Sequence, residues 1–209
     1  MFYGIVCTLN AIFTRMFLRV RIIGLENIPK EGGIIVAANH LSFLDIPLLG
    51  SSIYRMGRPA DFMGKKELYT IPIIGFLLRM LRGFPVDRER VDRAALREAV
   101  KRLQSGTIVV IYPEGRRSRD GRLQPGKPGV GVIVRMSGKK VIPVAIQGTD
   151  KAMPAGKWVI RSAPITIQFG HPLDFSNRVN GGSERESAEQ ITKSIMDHIA
   201  TLIESSPPP

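Results

Sequence analysis

The 209-residue chain contains very little cysteine and histidine, with one Cys and three His. A lone Cys7 excludes a disulfide framework and a zinc ribbon, because both need several cysteines. His40, His171 and His198 lie too far apart in the sequence to suggest a histidine-rich metal site. The cysteine and histidine content therefore gives no indication of a bound metal.

Long apolar runs are also missing, and none approaches the roughly 20 residues that a helix needs to cross a bilayer. Residues 1–14 carry no charge, and arginines follow at positions 15, 19 and 21. A secretory signal peptide would carry positive charge before its apolar run and a small-residue cleavage site after it, which this pattern does not match. Two interpretations remain: a helix in the membrane interface, or a helix packed on its own domain.

Aromatic side chains near these arginines suit the headgroup boundary and favour the interfacial helix. They are Phe2, Tyr3, Phe13 and Phe17. We therefore expect residues 1–18 to form a membrane-associated helix and residues 19–209 to form one α/β domain. The expected location is the cytoplasmic face of the cell membrane, as a peripheral or monotopic protein.

Acidic residues are scarce, with 18 Asp and Glu against 30 Lys and Arg, which gives a net charge of +12. Such a charge indicates a polyanionic partner: nucleic acid, an anionic membrane surface or phosphorylated substrates. No nucleic-acid-binding motif is present, and stacking aromatics do not alternate with the basic loops, so we expect no nucleic acid. An anionic membrane surface and phosphorylated substrates remain.

Two common catalytic and nucleotide-binding patterns are absent, namely G-x-S-x-G and G-x-G-x-x-G. Residues 121–128 nearly match a P-loop, but the match fails on two prolines. Pro128 stands where a hydroxyl must hold magnesium, and Pro125 removes a backbone N–H that the phosphate cradle needs. The chain is therefore neither a serine hydrolase of the usual kind nor a P-loop protein.

Apolar strand-like runs alternate with helical segments, which predicts an α/β fold with a mixed, largely parallel sheet flanked by helices. The predicted buried strands are Ile34–Ala38, Thr107–Tyr112 and Val141–Ile146; the predicted helices include Phe43–Tyr54 and Asp92–Gln104. A further apolar helix over residues 73–81 is interpreted either as the wall of an acyl groove or as a core helix.

Polar residues follow the first of these buried strands in the order Asn39, His40, Ser42 and Asp45. A His at the carboxyl end of a buried strand lies where open α/β sheets place their ligands. Asp45 can turn back to one ring nitrogen, fixing the tautomer while the other nitrogen accepts a proton. The alternative is an ordinary turn, because Asn, Ser and Asp also cap helices and form turns.

Two basic loops follow later strands, Phe84–Arg88 and Tyr112–Ser118. Since strand ends converge in this fold class, Arg88, Glu114 and Arg117 can share a crevice with the histidine. Arginine recognises phosphate in a planar, bidentate manner. The alternative for each loop is a solvated surface.

These segments together resemble the glycerolipid acyltransferase family, specifically the lysophosphatidate acyltransferases. Residues 39–45 are similar to its N-H-x-S-x-x-D block, and residues 83–88 match its G-x-x-x-[VI]-x-R block loosely. Residues 112–118 resemble [FY]-P-E-G-T-R-S, with Arg116 in place of the threonine. The proline-containing strand at residues 141–146 and the Lys-x-E-L stretch from Lys65 also match, so the resemblance spans roughly residues 20–175.

The resemblance implies transfer of a fatty acyl group from acyl-carrier protein or acyl-CoA to the free hydroxyl of lysophosphatidate, which makes phosphatidate. It implies His40 as general base, oriented by Asp45, with no cofactor or metal because a thioester leaves readily. Another lysolipid acceptor, such as a lysophospholipid or lyso-ornithine lipid, is the nearest alternative. A non-catalytic protein that binds anionic lipid is a more distant one.

The remaining site residues receive roles from the same resemblance. Lys65, Arg88 and Arg117 are expected to bind the acceptor phosphate, and Glu114 to position the acceptor or the arginines. Gly115 is expected to allow close backbone approach and to offer an N–H to the oxyanion. Residues expected to shape the site loops are Asn39, Ser42 and Ser118.

Overall fold

The computed structural model describes residues 2–87, 92–154, 157, 159–176 and 183–206. Seven strands lie within these ranges: β1 (Arg19–Ile23), β2 (Ile34–Ala38), β3 (Ala60–Lys65), β4 (Gly83–Val86), β5 (Ile108–Ile111), β6 (Val141–Gln147) and β7 (Pro164–Phe169). They form one sheet in the spatial order β1-β7-β6-β2-β5-β3-β4.

The strands from β2 to β6 all run in the same direction. Strand β7 is antiparallel to β6, and β1 runs parallel to β7. This arrangement confirms the α/β class with a mixed, largely parallel sheet. The carboxyl ends of the five parallel strands lie at one edge of the sheet. This edge is called here the carboxyl edge, and folds of this class bind their ligands there.

Seven α-helices accompany the sheet in the described residues: α1 (Phe2–Phe17), α2 (Asp45–Tyr54), α3 (Pro72–Met80), α4 (Arg93–Gln104), α5 (Gly129–Ser137), α6 (Thr149–Ala152) and α7 (Glu184–Ser205). Short 3-10 helices cover Leu25–Asn27 and Lys66–Thr70. Helix α7 begins with a capping box, in which Ser183 and Glu186 satisfy each other's backbone N–H groups.

The core consists of two apolar layers, one on each face of the sheet. Successive side chains of a strand point to opposite faces. Val36 of β2 therefore joins the cluster that includes Leu49 of α2. Its neighbour Ile35 joins the opposite cluster, which includes Leu103 of α4 and Ile195 of α7. Each fully buried side chain of this size stabilises the fold by about 1.5–3 kcal/mol.

Helix α2 begins at Asp45, two residues later than the sequence pattern predicts. The Asp45 carboxylate accepts the backbone N–H groups of Leu41 and Ser42, which holds the residues before the helix in a turn. Helix α3 forms as predicted, but Gly75 is its only buried residue. The interpretation of this segment as a core helix is therefore wrong.

The sequence patterns above do not predict helix α5, whose sequence begins GVGV. Its Gly131 faces α7 so closely that an added Cβ would lie 2.0 Å from the carbonyl oxygen of Ala188. The glycine that weakens helix propensity is thus the residue that lets α5 approach α7. This packing covers the sheet face below the candidate site described next.

Candidate active site

His40 and Asp45 form a buried hydrogen-bonded pair just beyond the end of β2. The distance from His40 Nδ1 to Asp45 Oδ2 is 2.8 Å, and both side chains are almost completely buried. A carboxylate only accepts hydrogen bonds, so Nδ1 carries the hydrogen and Nε2 presents a lone pair. That is the tautomer a general base needs.

Three further donors fix the Asp45 carboxylate. The backbone N–H groups of Leu41 and Ser42 donate to Oδ2 over 2.7 and 2.8 Å. The Thr149 hydroxyl, at the start of α6, donates to Oδ1 over 2.6 Å. Sequence reasoning missed Thr149, although its place directly after the strand that contains Pro143 put it at the carboxyl edge. Asp45 is thus held from its own loop and from the end of β6.

Asn39 and Ser42 tie the same loop to strand β6 and to the residue that follows α6. The Asn39 side-chain amide donates to the Ile146 carbonyl over 2.8 Å and accepts the Ile146 N–H over 2.7 Å. It thereby imitates a peptide group and extends the β2–β6 pairing by one residue. The Ser42 hydroxyl donates to the carbonyl of Met153 over 2.8 Å.

Glu114 lies beside the histidine, with both carboxylate oxygens directed at backbone. The N–H of His40 donates to Oε1 over 2.8 Å, and the N–H of Gln124 donates to Oε2 over 3.0 Å. Burial raises the pKa of Glu114 to about 7, against the opposing effect of these two hydrogen bonds. The Ser118 N–H donates to the His40 carbonyl over 2.8 Å, so the loop that contains Glu114 and Ser118 holds both backbone groups of the histidine.

An aromatic ring and a glycine complete the surroundings of the imidazole. Tyr112 stacks on His40 with ring centroids 4.1 Å apart, a contact that sequence reasoning did not foresee. Gly115 has a φ of 70°, which favours glycine. Its N–H donates to the Tyr112 carbonyl, so it does not supply the expected oxyanion donor in this structure. Lys127 lies next to it, within 3.4 Å of where a Cβ on Gly115 would be.

Of the three cations expected to bind the acceptor phosphate, the structure describes Arg117 and Lys65. Arg117 stacks on the Phe43 ring, 3.6 Å from its centroid, which places the guanidinium over the loop that carries His40. Lys65 is the last residue of β3 and lies half-exposed at the carboxyl edge, 3.8 Å from Glu67. Arg88 lies outside the described residues.

A cavity of about 420 Å³ opens beside His40 between the sheet and helices α4 and α5. Its walls are mainly apolar, and the acids Asp87 and Asp92 line it as well as His40. Apolar wall residues include Met63, Val86, Leu96, Ile111, Val130 and Ile133; Lys127 and Gly115 line it too. Helix α3 contributes no residue to the walls of this cavity, so it does not line the space beside His40.

The described ranges contain neither a cluster of metal-binding side chains nor a helix that could span a membrane. There, no three His, Cys, Asp or Glu side chains converge closely enough to hold a metal ion. No helix in the same ranges has both the length and the apolar character needed to cross a bilayer.

Comparison with known proteins shows which family has this arrangement. A family model described as Acyltransferase matches residues 19–147, well over half of the chain. The chain belongs to the acyltransferase family. The match includes the His40–Asp45 pair, the Glu114 loop and the strand that precedes Thr149.

Relatives of this acyltransferase-family chain carry one activity in their names. The 1-acyl-sn-glycerol-3-phosphate acyltransferase of Bacillus subtilis is 31% identical over 166 residues, which cover 78% of this chain and 79% of that protein. The chloroplastic enzyme of the same name, BAT2, from Brassica napus is 36% identical over 161 residues. That match covers 75% of this chain but only 46% of the plant protein.

A solved structure supports the same family assignment. The 1-acyl-sn-glycerophosphate (LPA) acyltransferase PlsC from Thermotoga maritima superimposes with a TM-score of 0.76 at 30% sequence identity. The superposition covers 99% of this chain and 81% of that one. The whole described fold is therefore similar to that of PlsC.

Proposed function

We propose that this chain transfers a fatty acyl group from acyl-CoA or acyl-carrier protein to the free hydroxyl of lysophosphatidate, yielding phosphatidate. One observation carries the proposal: a His40 imidazole, held by Asp45, borders a largely apolar cavity that Lys127 also lines. The names of the relatives from Bacillus subtilis and Thermotoga maritima support the same reaction.

In the proposed step, His40 Nε2 removes the proton from the acceptor hydroxyl as its oxygen attacks the thioester carbonyl. The resulting imidazolium is stabilised by Asp45. When the tetrahedral intermediate collapses, the carbon–sulfur bond breaks and the thiolate takes the proton from His40. No covalent acyl-enzyme is needed, and Ser42 keeps its hydrogen bond to the Met153 carbonyl throughout.

Charged residues at the carboxyl edge would hold the acceptor phosphate. Arg117 is fixed above the histidine loop by its contact with Phe43, and Lys127 lines the cavity. We retain Lys65 and Arg88 in this role because Lys65 ends β3 and Arg88 comes two residues after β4 in the sequence, and both strands end at the carboxyl edge. Glu114 acts by positioning the His40 backbone, since its oxygens accept N–H groups from His40 and Gln124.

Helix α1 is the proposed membrane-associated segment, within residues 1–18. Its inner face packs on α2, where Asn10 donates to the Pro47 carbonyl and the Ser51 hydroxyl. Its outer face carries large apolar side chains at helical spacing. These exposed side chains are Ile5, Leu9, Ile12, Met16 and Phe17. Such a face suits the interface of an anionic leaflet, and we propose the cytoplasmic face of the cell membrane.

The test is acyl transfer by purified full-length protein and its His40→Ala variant. We expect the variant to lose about 10²–10⁴ in kcat, because the general base is gone. His198→Ala is the matched control, since His198 lies exposed on α7, and it should keep normal turnover. Near-normal turnover of His40→Ala would refute the general-base assignment.

A substrate panel then tests the partners. We expect lysophosphatidate to be preferred over a lysophospholipid with a zwitterionic headgroup, because the cations at the edge match a phosphate monoester. Acyl-CoA and acyl-carrier protein are compared as donors in the same assay. Transfer should persist in a chelator, since a thioester carbonyl is already reactive. Preference for the zwitterionic acceptor would overturn the assignment of lysophosphatidate.

A further inference from the structure

Helix α3 and the 3-10 helix before it present a large apolar surface to solvent. Its members are Leu68, Ile71, Ile73, Ile74, Phe76, Leu77 and Met80, which together are called here the α3 surface. Ile73 is 75% exposed and Phe76 is 61% exposed. Contiguous apolar patches of this kind are uncommon on monomeric soluble proteins and mark interaction sites.

The orientation of α3 is fixed by close packing on its inner side. An added Cβ at Gly75 would lie 2.4 Å from the carbonyl oxygen of Tyr69, so only glycine allows this approach. Arg79 lies over the buried Tyr69 ring, 5.5 Å from its centroid. The helix therefore places a glycine against the domain and directs isoleucine and phenylalanine outward. This is the reverse of an ordinary surface helix.

The charges around the α3 surface favour a membrane over a second copy of the chain. Residues 65–82 contain four cations, Lys65, Lys66, Arg79 and Arg82, and one acid, Glu67. Two of these cations have ion pairs with acids outside the segment's helices, Lys66 with Asp87 and Arg82 with Asp61, which leaves a smaller excess of positive charge. Apolar side chains flanked by cations are typical of helices that lie in an anionic interface. Two copies with a net charge of +12 each would instead repel one another across this face.

The α3 surface begins at the edge of the sheet that carries the candidate site. Strand β3 ends at Lys65, and the 3-10 helix starts at the next residue. Strand β3 is parallel to β5, which is parallel to β2, so Lys65 and His40 both follow strand ends at the carboxyl edge. A membrane bound at the α3 surface would therefore lie close to the mouth of the cavity.

We propose that the α3 surface is a second membrane-contacting element, which enters the headgroup boundary of an anionic leaflet and holds the carboxyl edge of the sheet against it. Helix α1 and the α3 surface then form two separate contacts with one leaflet. That this contact serves acceptor delivery rests on the proposed function, whereas the membrane contact itself does not.

The experiment measures binding to vesicles made of equal parts phosphatidylglycerol and phosphatidylcholine. The test variant is Ile73→Ser/Phe76→Ser in the full chain. The matched control is Val159→Ser/Ile160→Ser, which removes two exposed apolar side chains elsewhere on the surface, 63% and 41% exposed. We expect the α3 variant to bind at least about tenfold more weakly and the control to bind like the unmodified protein. Equal binding by both variants would overturn the proposal.

Two further measurements distinguish a membrane contact from a subunit interface and from a damaged active site. Sedimentation without vesicles reports the oligomeric state, and a dimer that the Ile73→Ser/Phe76→Ser variant dissociates would overturn the proposal in favour of a subunit interface. Transfer to a short-chain, water-soluble acceptor should be unchanged in this variant. Absence of transfer in the unmodified protein would refute the proposed function and leave the vesicle result standing. If the double variant is poorly folded, Ile73→Ser alone is measured.

Discussion

Thr149 offers the sharpest test of how the His40–Asp45 pair is held. Its hydroxyl donates to Asp45 Oδ1 over 2.6 Å, and both side chains are fully buried. Thr149→Val removes that donor but keeps the shape of the side chain. A buried hydrogen bond to a charged group contributes about 1.5–3 kcal/mol, so the free energy of unfolding should fall by that amount. Denaturant unfolding followed by fluorescence measures it.

The same substitution should lower kcat about tenfold and leave KM for both substrates nearly unchanged. Asp45 Oδ2 keeps three donors in the variant, so the dyad persists with a less firmly held carboxylate. Since Thr149 touches Asp45 rather than the cavity, substrate binding should not change. Thr149→Ser restores a hydroxyl and should recover most of the turnover.

Thr192→Val is the matched control for this prediction. The Thr192 hydroxyl accepts the N–H of Gly131 over 3.2 Å, between α7 and α5 and away from the dyad. We expect this variant to lose stability by about 1 kcal/mol and to keep its kcat. If Thr149→Val keeps full turnover, or if Thr192→Val loses as much, Thr149 is only a structural residue and the reasoning fails.

Two other predictions concern the loop that contains Glu114. The pKa of this carboxyl is about 7 in the folded protein and near 4.5 when unfolded, so the folded state binds the extra proton between those values. The free energy of unfolding, taken relative to a Glu114→Gln variant, should therefore fall as pH rises from about 5 to 8. Urea unfolding of both proteins at four pH values measures this difference. A difference that rises with pH would contradict the prediction. Arg117→Ala should raise KM for lysophosphatidate roughly tenfold or more and should change KM for the thioester little. The control is Arg119→Ala, at an exposed arginine, which should change neither KM. Equal effects of Arg117→Ala on both substrates would remove Arg117 from the acceptor site.

The sequence predicted the parts of the site that depend on local pattern. The apolar run Ile34–Ala38 identifies a buried strand, and the spacing of His40 and Asp45 allows them to meet across one turn. Contacts between distant segments were beyond such reasoning. Thr149 is 104 residues from Asp45, and the two meet only because β6 lies beside β2 in the sheet.

Burial was the other quantity that the sequence did not reveal. A glutamate in a basic loop after a strand is expected to contact a substrate, yet Glu114 turns inward to two backbone N–H groups. An apolar helix is expected in the core or around a groove, yet α3 exposes its isoleucines and Phe76. The sequence shows that a side chain is apolar. The fold decides whether other parts of the protein or an apolar environment outside the protein cover it.

The contacts around His40 explain why its loop contains the residues it does. Three side chains tie this loop to β6 and α6: Asn39 binds Ile146 in β6, Asp45 binds Thr149 in α6, and Ser42 binds Met153 just after α6. The Glu114 loop holds the His40 backbone from the other side.

A shift of the imidazole would break several buried hydrogen bonds at once, and each one left unmade costs about 1–3 kcal/mol. The proposed general base is therefore placed before the substrates arrive, and no free energy is needed to orient it during the reaction. In the proposed reaction the mobile participant is the lysolipid, which must leave its leaflet to reach a fixed base. A fixed base at the carboxyl edge is effective only if that edge is held close to the lipid, which is the role we propose for the α3 surface.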